Sequence, residues 1–257
     1  MSRGKHGTSK WKRFAAMLLL LAVTGCAHQS TTSRIDADAL LNAISIDDVG
    51  YVRHLVAAGQ LAVDERVPAA AYPDGAPLIT LAARDAALAT LRYLISAGAD
   101  INARTPVGET ALMLSAYFPS DDRDAPQQER YEQAVRLLLD AGAEVESGPY
   151  DYTALSYAAY HDRRRIVGYL LGRGAKVDGD AAGGVAYVNT PLMMAAIQGH
   201  YETALSLLRA GADPRIRSYQ GLTAAELAAK HRHPHLAQLL RCAQAQPFKV
   251  ASASQCR

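Results

Sequence analysis

The side chains best suited to metal chemistry form two short groups. Three histidines alternate near the C-terminal end, at His231, His233 and His235. Three aspartates lie close together nearer the middle, at Asp121, Asp122 and Asp124. Imidazoles can bind zinc, and clustered carboxylates can bind calcium. Polar and charged side chains in short runs of this kind are usually solvated, so we predict no metal site and no cofactor.

Enzymatic catalysis has little support in the sequence. The chain contains neither a Gly-x-Ser-x-Gly turn, which would expose a catalytic serine, nor a glycine-rich loop that would bind phosphate. We therefore predict that the protein is not an enzyme.

Charge is unevenly placed along the chain. Residues 1–26 carry five Lys or Arg and no Asp or Glu, which leaves the remainder with a formal charge of −3. Such a body lacks the continuous positive surface that neutralises phosphates. We therefore predict that nucleic acid is not a partner.

Cys26 lies at the end of a segment with the features of an export signal. A basic stretch ends at Arg13, and ten apolar residues, 14–23, follow it. A helix of that length measures about 15 Å, half of the hydrocarbon core of a bilayer, and is too short to span it. The segment suits a secretory signal instead.

The junction Val23-Thr24-Gly25-Cys26 resembles the lipobox of bacterial lipoproteins. The resemblance implies a signal peptide over 1–25, cleavage before Cys26 and acylation of its sulfur, which anchors the protein stably. The polar residues that follow suit a flexible tether, so that 26–35 would join the lipid to the body. Ala27, in place of Asp, implies the outer membrane. We expect a lipid-anchored protein of the cell envelope that faces the periplasm; the alternative is an ordinary signal peptide with an incidental cysteine.

The other two cysteines, Cys242 and Cys256, both lie near the C-terminus. Because disulfides persist in the periplasm, we predict that the two pair. In the chain-entropy model a loop of this size stabilises the fold by about 3 kcal/mol. The alternative is two free thiols on a loose tail.

Two short motifs recur along the body and must position any functional side chain. The first combines an initial Thr or Pro with Leu and small residues, at 77–83, 110–116, 153–159 and 190–196. The second has the pattern Leu-Leu-x-x-Gly-Ala or a close variant, at 94–99, 138–143, 170–175 and 207–212. In three of the four pairs, the first residue of the first motif and the glycine of the second are 21 residues apart.

These motifs resemble ankyrin repeats. The initial Thr can cap a helix, and the glycine can end the second helix in a left-handed conformation. With degenerate copies at both ends, the resemblance implies an all-α solenoid. It would stack about six helix-turn-helix units, joined by β-hairpin loops, over 36–246, with a C-terminal tail over 247–257.

The chain departs from the ankyrin pattern in three ways. The usual His of the first motif is missing, so its hydrogen bond must be replaced; its positions hold Leu41, Thr80, Met113, Ser156, Met193 and Glu226. An insertion of 11 residues falls between the two helices of the third unit, around 119–126, and a long hairpin spans 179–188. Such insertions are either functional or tolerated. His233 matches a His that commonly precedes the second helix, which favours a structural role for it.

Ankyrin repeats in general bind proteins through hairpin tips and the exposed side of the first helices. The resemblance places the contacts to a partner protein at offsets from the first residue of each copy of the first motif. These offsets are four, three and one residues before it, and seven and eight residues after it. Five copies of the first motif, starting at 77, 110, 153, 190 and 223, give 25 such positions. Seven of the 14 aromatic residues in 36–246 fall on them, where an even distribution would put about two. The seven are Tyr117, Phe118, Tyr150, Tyr152, Tyr160, Tyr187 and Tyr219.

We therefore predict a protein-binding surface centred near Tyr117, Tyr150, Tyr152 and Tyr160, since tyrosine is enriched at interfaces. The alternative is that these rings only pack between repeats. We expect a non-enzymatic scaffold with a periplasmic protein partner. Two narrower roles stay open: an immunity or inhibitor lipoprotein that neutralises a secreted toxin or lipase, and an envelope-stress scaffold for another periplasmic enzyme.

Overall fold

A computed structural model describes residues 35–117, 125–146, 152–181, 185–186 and 188–245. Predictions for the signal peptide, the tether to residue 34 and the tail from 247 lie outside these residues. So do those for eight individual residues, Cys26, Phe118, Asp121, Asp122, Asp124, Tyr150, Tyr187 and Cys256.

The described residues form twelve helices in six consecutive pairs. The pairs are α1 Ala37–Ser45 with α2 Val49–Ala57, α3 Leu78–Arg84 with α4 Leu88–Ser96, α5 Ala111–Tyr117 with α6 Ala125–Asp140, α7 Ala154–Tyr160 with α8 Arg164–Gly172, α9 Pro191–Gln198 with α10 Tyr201–Arg209, and α11 Ala224–Lys230 with α12 Pro234–Ala245. Each first helix packs against the first helix of the next pair. The predicted helical repeat solenoid is confirmed.

Four short strands lie in the loops that connect the pairs: β1 Arg66–Ala69, β2 Tyr72–Pro77, β3 Val185–Ala186 and β4 Arg217–Ser218. One of the predicted β-hairpin loops is present as an antiparallel β1–β2 pair, and the hairpin predicted over 179–188 lies partly outside the described residues. Single antiparallel bridges, Arg104 with Thr110 and Arg217 with Thr223, close two more loops. In contrast to a hairpin, β3 pairs with β4 in parallel, so this contact joins two successive loops.

The first helices begin where the sequence predicts. The hydroxyl of Thr153, Thr190 or Thr223 accepts a hydrogen bond from the backbone N–H three residues later, which caps α7, α9 and α11. The glycine of the second motif has a positive φ in each described copy, as at Gly98 with 86°. Thr caps and left-handed glycines therefore set the bounds of most pairs, as expected.

Side chains at three of the positions where the motif His is missing make local hydrogen bonds. Thr80 Oγ1 donates to Pro77 O at 2.7 Å, and the hydroxyls of Ser156 and Thr153 lie 3.3 Å apart. Glu226 accepts from both the N–H and the hydroxyl of Thr223, at 2.7 and 3.0 Å, completing a capping box. At these three positions the side chain therefore bonds the start of its own helix.

Part of the predicted insertion belongs to a helix. α6 has 16 residues, whereas the second helices α2, α4, α8 and α10 have nine each. Since α6 begins at Ala125, Pro126 lies in its first turn, where proline is well tolerated. Tyr131 in α6 donates from its hydroxyl to the last carbonyl of α3, at Arg84, over 2.7 Å. The long helix therefore holds its own unit against the preceding one.

Backbone N–H groups and side chains bind adjacent units together along the loops. In four successive loops, an N–H two residues after the glycine donates to a side chain of the preceding loop. The four pairs are Asp100 with Asp64, Glu144 with Asn102, Lys176 with Glu146, and Asp213 with Asp178. Each unit thus supplies acceptors for the next one, which fits a solenoid stabilised by its nearest neighbours.

Asp47 makes the strongest such connection at the N-terminal end, and its removal should destabilise the fold. Its carboxylate accepts from the N–H groups of Ala89 and Thr90, both at 3.0 Å, and so caps α4 of the next unit. We expect Asp47→Ala to lower the free energy of unfolding by about 2 kcal/mol, because two partly buried donors lose their acceptor and alanine is strained at the φ of 59°. Urea unfolding followed by circular dichroism measures the loss.

The exposed Asp74 offers a matched control for this prediction. Asp74→Ala should change the free energy of unfolding by less than about 0.5 kcal/mol. Equal midpoints for the two variants would contradict the role assigned to Asp47.

Candidate functional site

Two neighbouring first helices bring three of the predicted contact tyrosines together. Tyr117 is the last residue of α5 and Tyr160 the last of α7, while Tyr152 precedes Thr153, the residue that caps α7. Because α5 packs against α7, the ends of the two helices present their aromatic side chains on one surface.

The rings contact each other edge to face through two residues that the sequence analysis did not select. The Tyr117 ring centroid lies 5.3 Å from that of Tyr157 and 4.7 Å from that of His161. Tyr160 lies 4.9 Å from His161, and Tyr152 lies 6.3 Å from Tyr157. We call these five residues, Tyr117, Tyr152, Tyr157, Tyr160 and His161, the tyrosine cluster. Such edge-to-face pairs fix ring orientations, since each contributes about 0.5–1.5 kcal/mol.

A carboxylate lies beside the cluster. Glu109 accepts hydrogen bonds from the hydroxyl of Tyr72 at 2.7 Å and from that of Tyr157 at 3.4 Å. Burial, followed by the neighbouring Glu109, raises the pKa of both tyrosines well above the ordinary value of 10.0. The two phenols therefore remain protonated donors, and they hold Glu109 in place as an acceptor.

Exposure separates the anchoring rings from the accessible ones. Tyr72 is 7% exposed, whereas Tyr117 is 42% exposed, and Tyr152 and Tyr160 are partly exposed. Every member of the tyrosine cluster is at least partly exposed, whereas the buried Tyr72 lies outside it. The predicted protein-binding surface, and the alternative that these rings only pack between repeats, both stay predictions.

Two large apolar side chains in the turns between helix pairs are strongly exposed. Tyr219, in the turn after β4, is 69% exposed, and Val107 in the turn before α5 is 72% exposed. Within the described residues, no ring contact joins Tyr219 to the tyrosine cluster. Of the seven predicted contacts, the structure thus brings together Tyr117, Tyr152 and Tyr160 and leaves Tyr219 apart.

Three members of the site were missed for identifiable reasons. Glu109 and His161 both occupy predicted contact positions. Glu109 lies one residue before the copy of the first motif at 110–116, and His161 lies eight residues after the start of the copy at 153–159. Selecting only Phe, Tyr and Trp at those positions discarded them. Tyr157 lies inside the copy of the first motif at 153–159, where an apolar residue is expected to be part of the core. A search for polar partners at the same offsets would have found Glu109 and His161.

His161 should remain neutral in mildly acidic solution. Burial, followed by Arg163 and His200, lowers the pKa of its imidazole to about 4. Since the unfolded chain protonates this group near pH 6.5, the free energy of unfolding should fall as the pH drops from about 6.5 to about 4. We expect the ring signals of His161 in an NMR titration to stay unchanged down to about pH 5.

A matched variant isolates this contribution. His161→Gln should unfold with a weaker dependence on pH over the same window than the wild type. An imidazole that titrates near pH 6.5 in the folded protein would contradict the burial that we assign to it.

The other histidines of interest have structural partners. His233 Nε2 lies 3.1 Å from the carbonyl oxygen of Ile197, and His200 Nε2 lies 2.9 Å from that of Tyr160. Gly199 allows the first contact, because a Cβ there would meet the His233 ring at 2.4 Å. These bonds support the structural role predicted for His233. Over the described ranges, no three His, Cys, Asp or Glu side chains are arranged to hold a metal ion.

One further prediction concerns a residue beyond this surface, and one further finding concerns the helices. Cys242 lies in α12, and its proposed partner Cys256 is outside the described residues, so their disulfide stays a prediction. None of the described helices is both long enough and apolar enough to cross a membrane.

Known proteins match parts of this chain. Two models of the family described as ankyrin repeats match residues 78–181 and 192–241. Palmitoyltransferase Hip14 of Drosophila melanogaster is 43% identical over 88 residues, 34% of this chain and 13% of that protein. The ankyrin repeat and KH domain-containing protein mask-1 of Caenorhabditis elegans is 29% identical over 179 residues, 63% of this chain and 7% of that protein. Protein glp-1 of the same organism is 33% identical over 135 residues, which are 52% of this chain and 10% of that protein. The chain therefore spans at most about an eighth of these relatives.

Proposed function

The chain is an ankyrin-repeat protein, and from that premise we propose that it is a non-enzymatic scaffold that binds a partner protein through the tyrosine cluster. The observation that carries the proposal is the position of Tyr117, which is held by two edge-to-face contacts and yet is 42% exposed. A ring fixed before binding loses little rotational freedom when a partner covers it, so that its contact area contributes efficiently to affinity.

The location that we propose is the periplasmic face of the cell envelope, with the lipid on Cys26 as anchor. The order of the basic stretch, the short apolar run and Val23-Thr24-Gly25-Cys26 supports it. A membrane anchor would hold the repeats near envelope proteins, and a tether of about ten residues would leave the tyrosine cluster free to meet them.

Capture from membranes tests the proposal. The acylated full-length chain is isolated with its bound proteins, in parallel with a variant whose tyrosine cluster is truncated. A protein retained by the wild type and absent from the variant is the expected result. A secreted toxin or lipase would assign the role of an immunity protein, and a resident periplasmic enzyme would assign that of an envelope scaffold. Identical sets of proteins in both samples would contradict binding at this surface.

A further inference from the structure

Glu109 has unused capacity to accept hydrogen bonds. The hydroxyls of Tyr72 and Tyr157 each bond one of its carboxylate oxygens. A carboxylate offers about four acceptor positions, so two phenols leave about half of them open. Glu109 is also partly exposed, which lets a group from outside reach it.

Among the described residues, no Lys or Arg forms an ion pair with the Glu109 carboxylate. Other acidic side chains are paired: Glu132 lies 3.2 Å from Arg165, and Glu226 lies 3.4 Å from Arg217. Within the described residues, no Lys or Arg lies within 4.0 Å of the Glu109 carboxylate. A negative charge that is half-buried, fixed by two donors and lacking a counter-ion attracts a positive group strongly.

The neighbouring rings favour the same type of ligand. The face of a tyrosine ring attracts cations, and the chain uses this on its second helices, where Arg136 lies 4.2 Å from the Tyr169 ring centroid and Arg53 lies 5.2 Å from that of Tyr93. Over the part of the chain that the structure describes, no cation lies over Tyr117 or Tyr157. His161 adds no positive charge at neutral pH, because burial lowers its pKa to about 4.

The charge of the surrounding protein points in the same direction. Residues 35–162, which include the whole tyrosine cluster and Glu109, hold eight Lys or Arg against twenty Asp or Glu, a formal charge of −12. Residues 163–245 hold eleven against five, a charge of +6. The half of the solenoid that carries the cluster therefore attracts a basic surface and repels an acidic one.

We propose that the tyrosine cluster and Glu109 together bind a basic side chain, Lys or Arg, on a positively charged segment of the partner protein. This inference rests on the proposed function and specifies the chemistry of the partner. The cation sits against the exposed ring of Tyr117 and pairs with the open side of the Glu109 carboxylate. The −12 formal charge of residues 35–162 disfavours an acidic partner segment.

Labelled peptides test the proposal on the purified full-length chain. Fluorescence anisotropy at physiological ionic strength measures the binding of deca-arginine, deca-lysine and deca-glutamate. We expect the two basic peptides to bind and the acidic one not to. Glu109→Gln and Tyr117→Ala should each weaken binding of the basic peptides by about fivefold or more. Glu144→Gln, which removes the same charge at an exposed loop position, should weaken it by less than about twofold.

A measurement without substitutions guards against variants that fold poorly. Addition of deca-arginine to the wild type should shift the ring signals of Tyr117 and Tyr157 in NMR spectra and leave those of Tyr201, on α10, unchanged. Equal loss of affinity in Glu109→Gln and Glu144→Gln, or equal shifts at all tyrosines, would overturn the proposal.

The outcomes separate this inference from the proposed function. If Tyr117→Ala loses the captured partner while Glu109→Gln retains it, the surface binds a protein but not through a cation. If neither variant loses the partner, both the inference and the proposed function are wrong.

Discussion

Alanine substitution of Tyr117, Tyr150, Tyr152 and Tyr160 together is expected to abolish binding of the partner protein while the chain remains folded. Truncating a single central anchor of an interface costs about 2 kcal/mol or more, a loss of about thirtyfold in affinity. Four such changes should therefore bring binding below detection. The edge-to-face contacts of three of these rings also predict a modest decrease in melting temperature, because each lost pair costs about 1 kcal/mol.

The second helices offer a matched control with the same number of tyrosines. Tyr51, Tyr93, Tyr169 and Tyr201 are all partly buried and lie on α2, α4, α8 and α10. Their replacement by alanine should leave partner binding intact wherever the chain still folds. A cluster variant that unfolds like a core mutant, or that binds normally, would mean that the predicted contacts are packing residues and that the partner docks elsewhere.

Replacement of Cys26 by serine is expected to release the protein from the outer-membrane fraction. Without the sulfur there is no acceptor for the lipid, and the signal segment, with only ten apolar residues, cannot replace it as a stable anchor. The precursor should also stay uncleaved or accumulate as a soluble form. Fractionation of cells, followed by mass spectrometry of the mature N-terminus, measures both effects.

Cys242→Ser is the control for a cysteine substitution away from the junction, because it leaves residues 23–26 intact. This variant should fractionate with the membrane and carry the lipid. A Cys26→Ser protein that matures and sediments like the wild type would contradict the lipid anchor.

The fold follows from the sequence to the extent that local rules determine it. Thr153, Thr190 and Thr223 cap helices because a β-hydroxyl at that position can accept the free N–H groups of the first turn. Gly98 and its equivalents end helices because glycine, which has no Cβ, adopts a left-handed φ without a steric penalty. These rules act within a few residues, so the motifs alone predict where the helices begin and end.

Contacts between units were harder to predict. Asp47 and Asp162 adopt positive φ without being glycine, and each uses its carboxylate to bind the next unit, through α4 and through the hydroxyl of Thr203. Glu109 resembles any solvated acid in the sequence, since its partners Tyr72 and Tyr157 are 37 and 48 residues away. Side-chain pairs across units depend on the stacking geometry, which the repeat pattern specifies only in outline.

Site-specific photocrosslinking tests the central claim, binding of a protein at the tyrosine cluster, most directly. Benzoyl-phenylalanine is introduced at position 117 in one sample and at the exposed position of Arg92 on α4 in another, and living cells are irradiated. The account predicts one discrete crosslinked species at position 117 and none at position 92. A crosslink at position 92 without one at position 117 would contradict it.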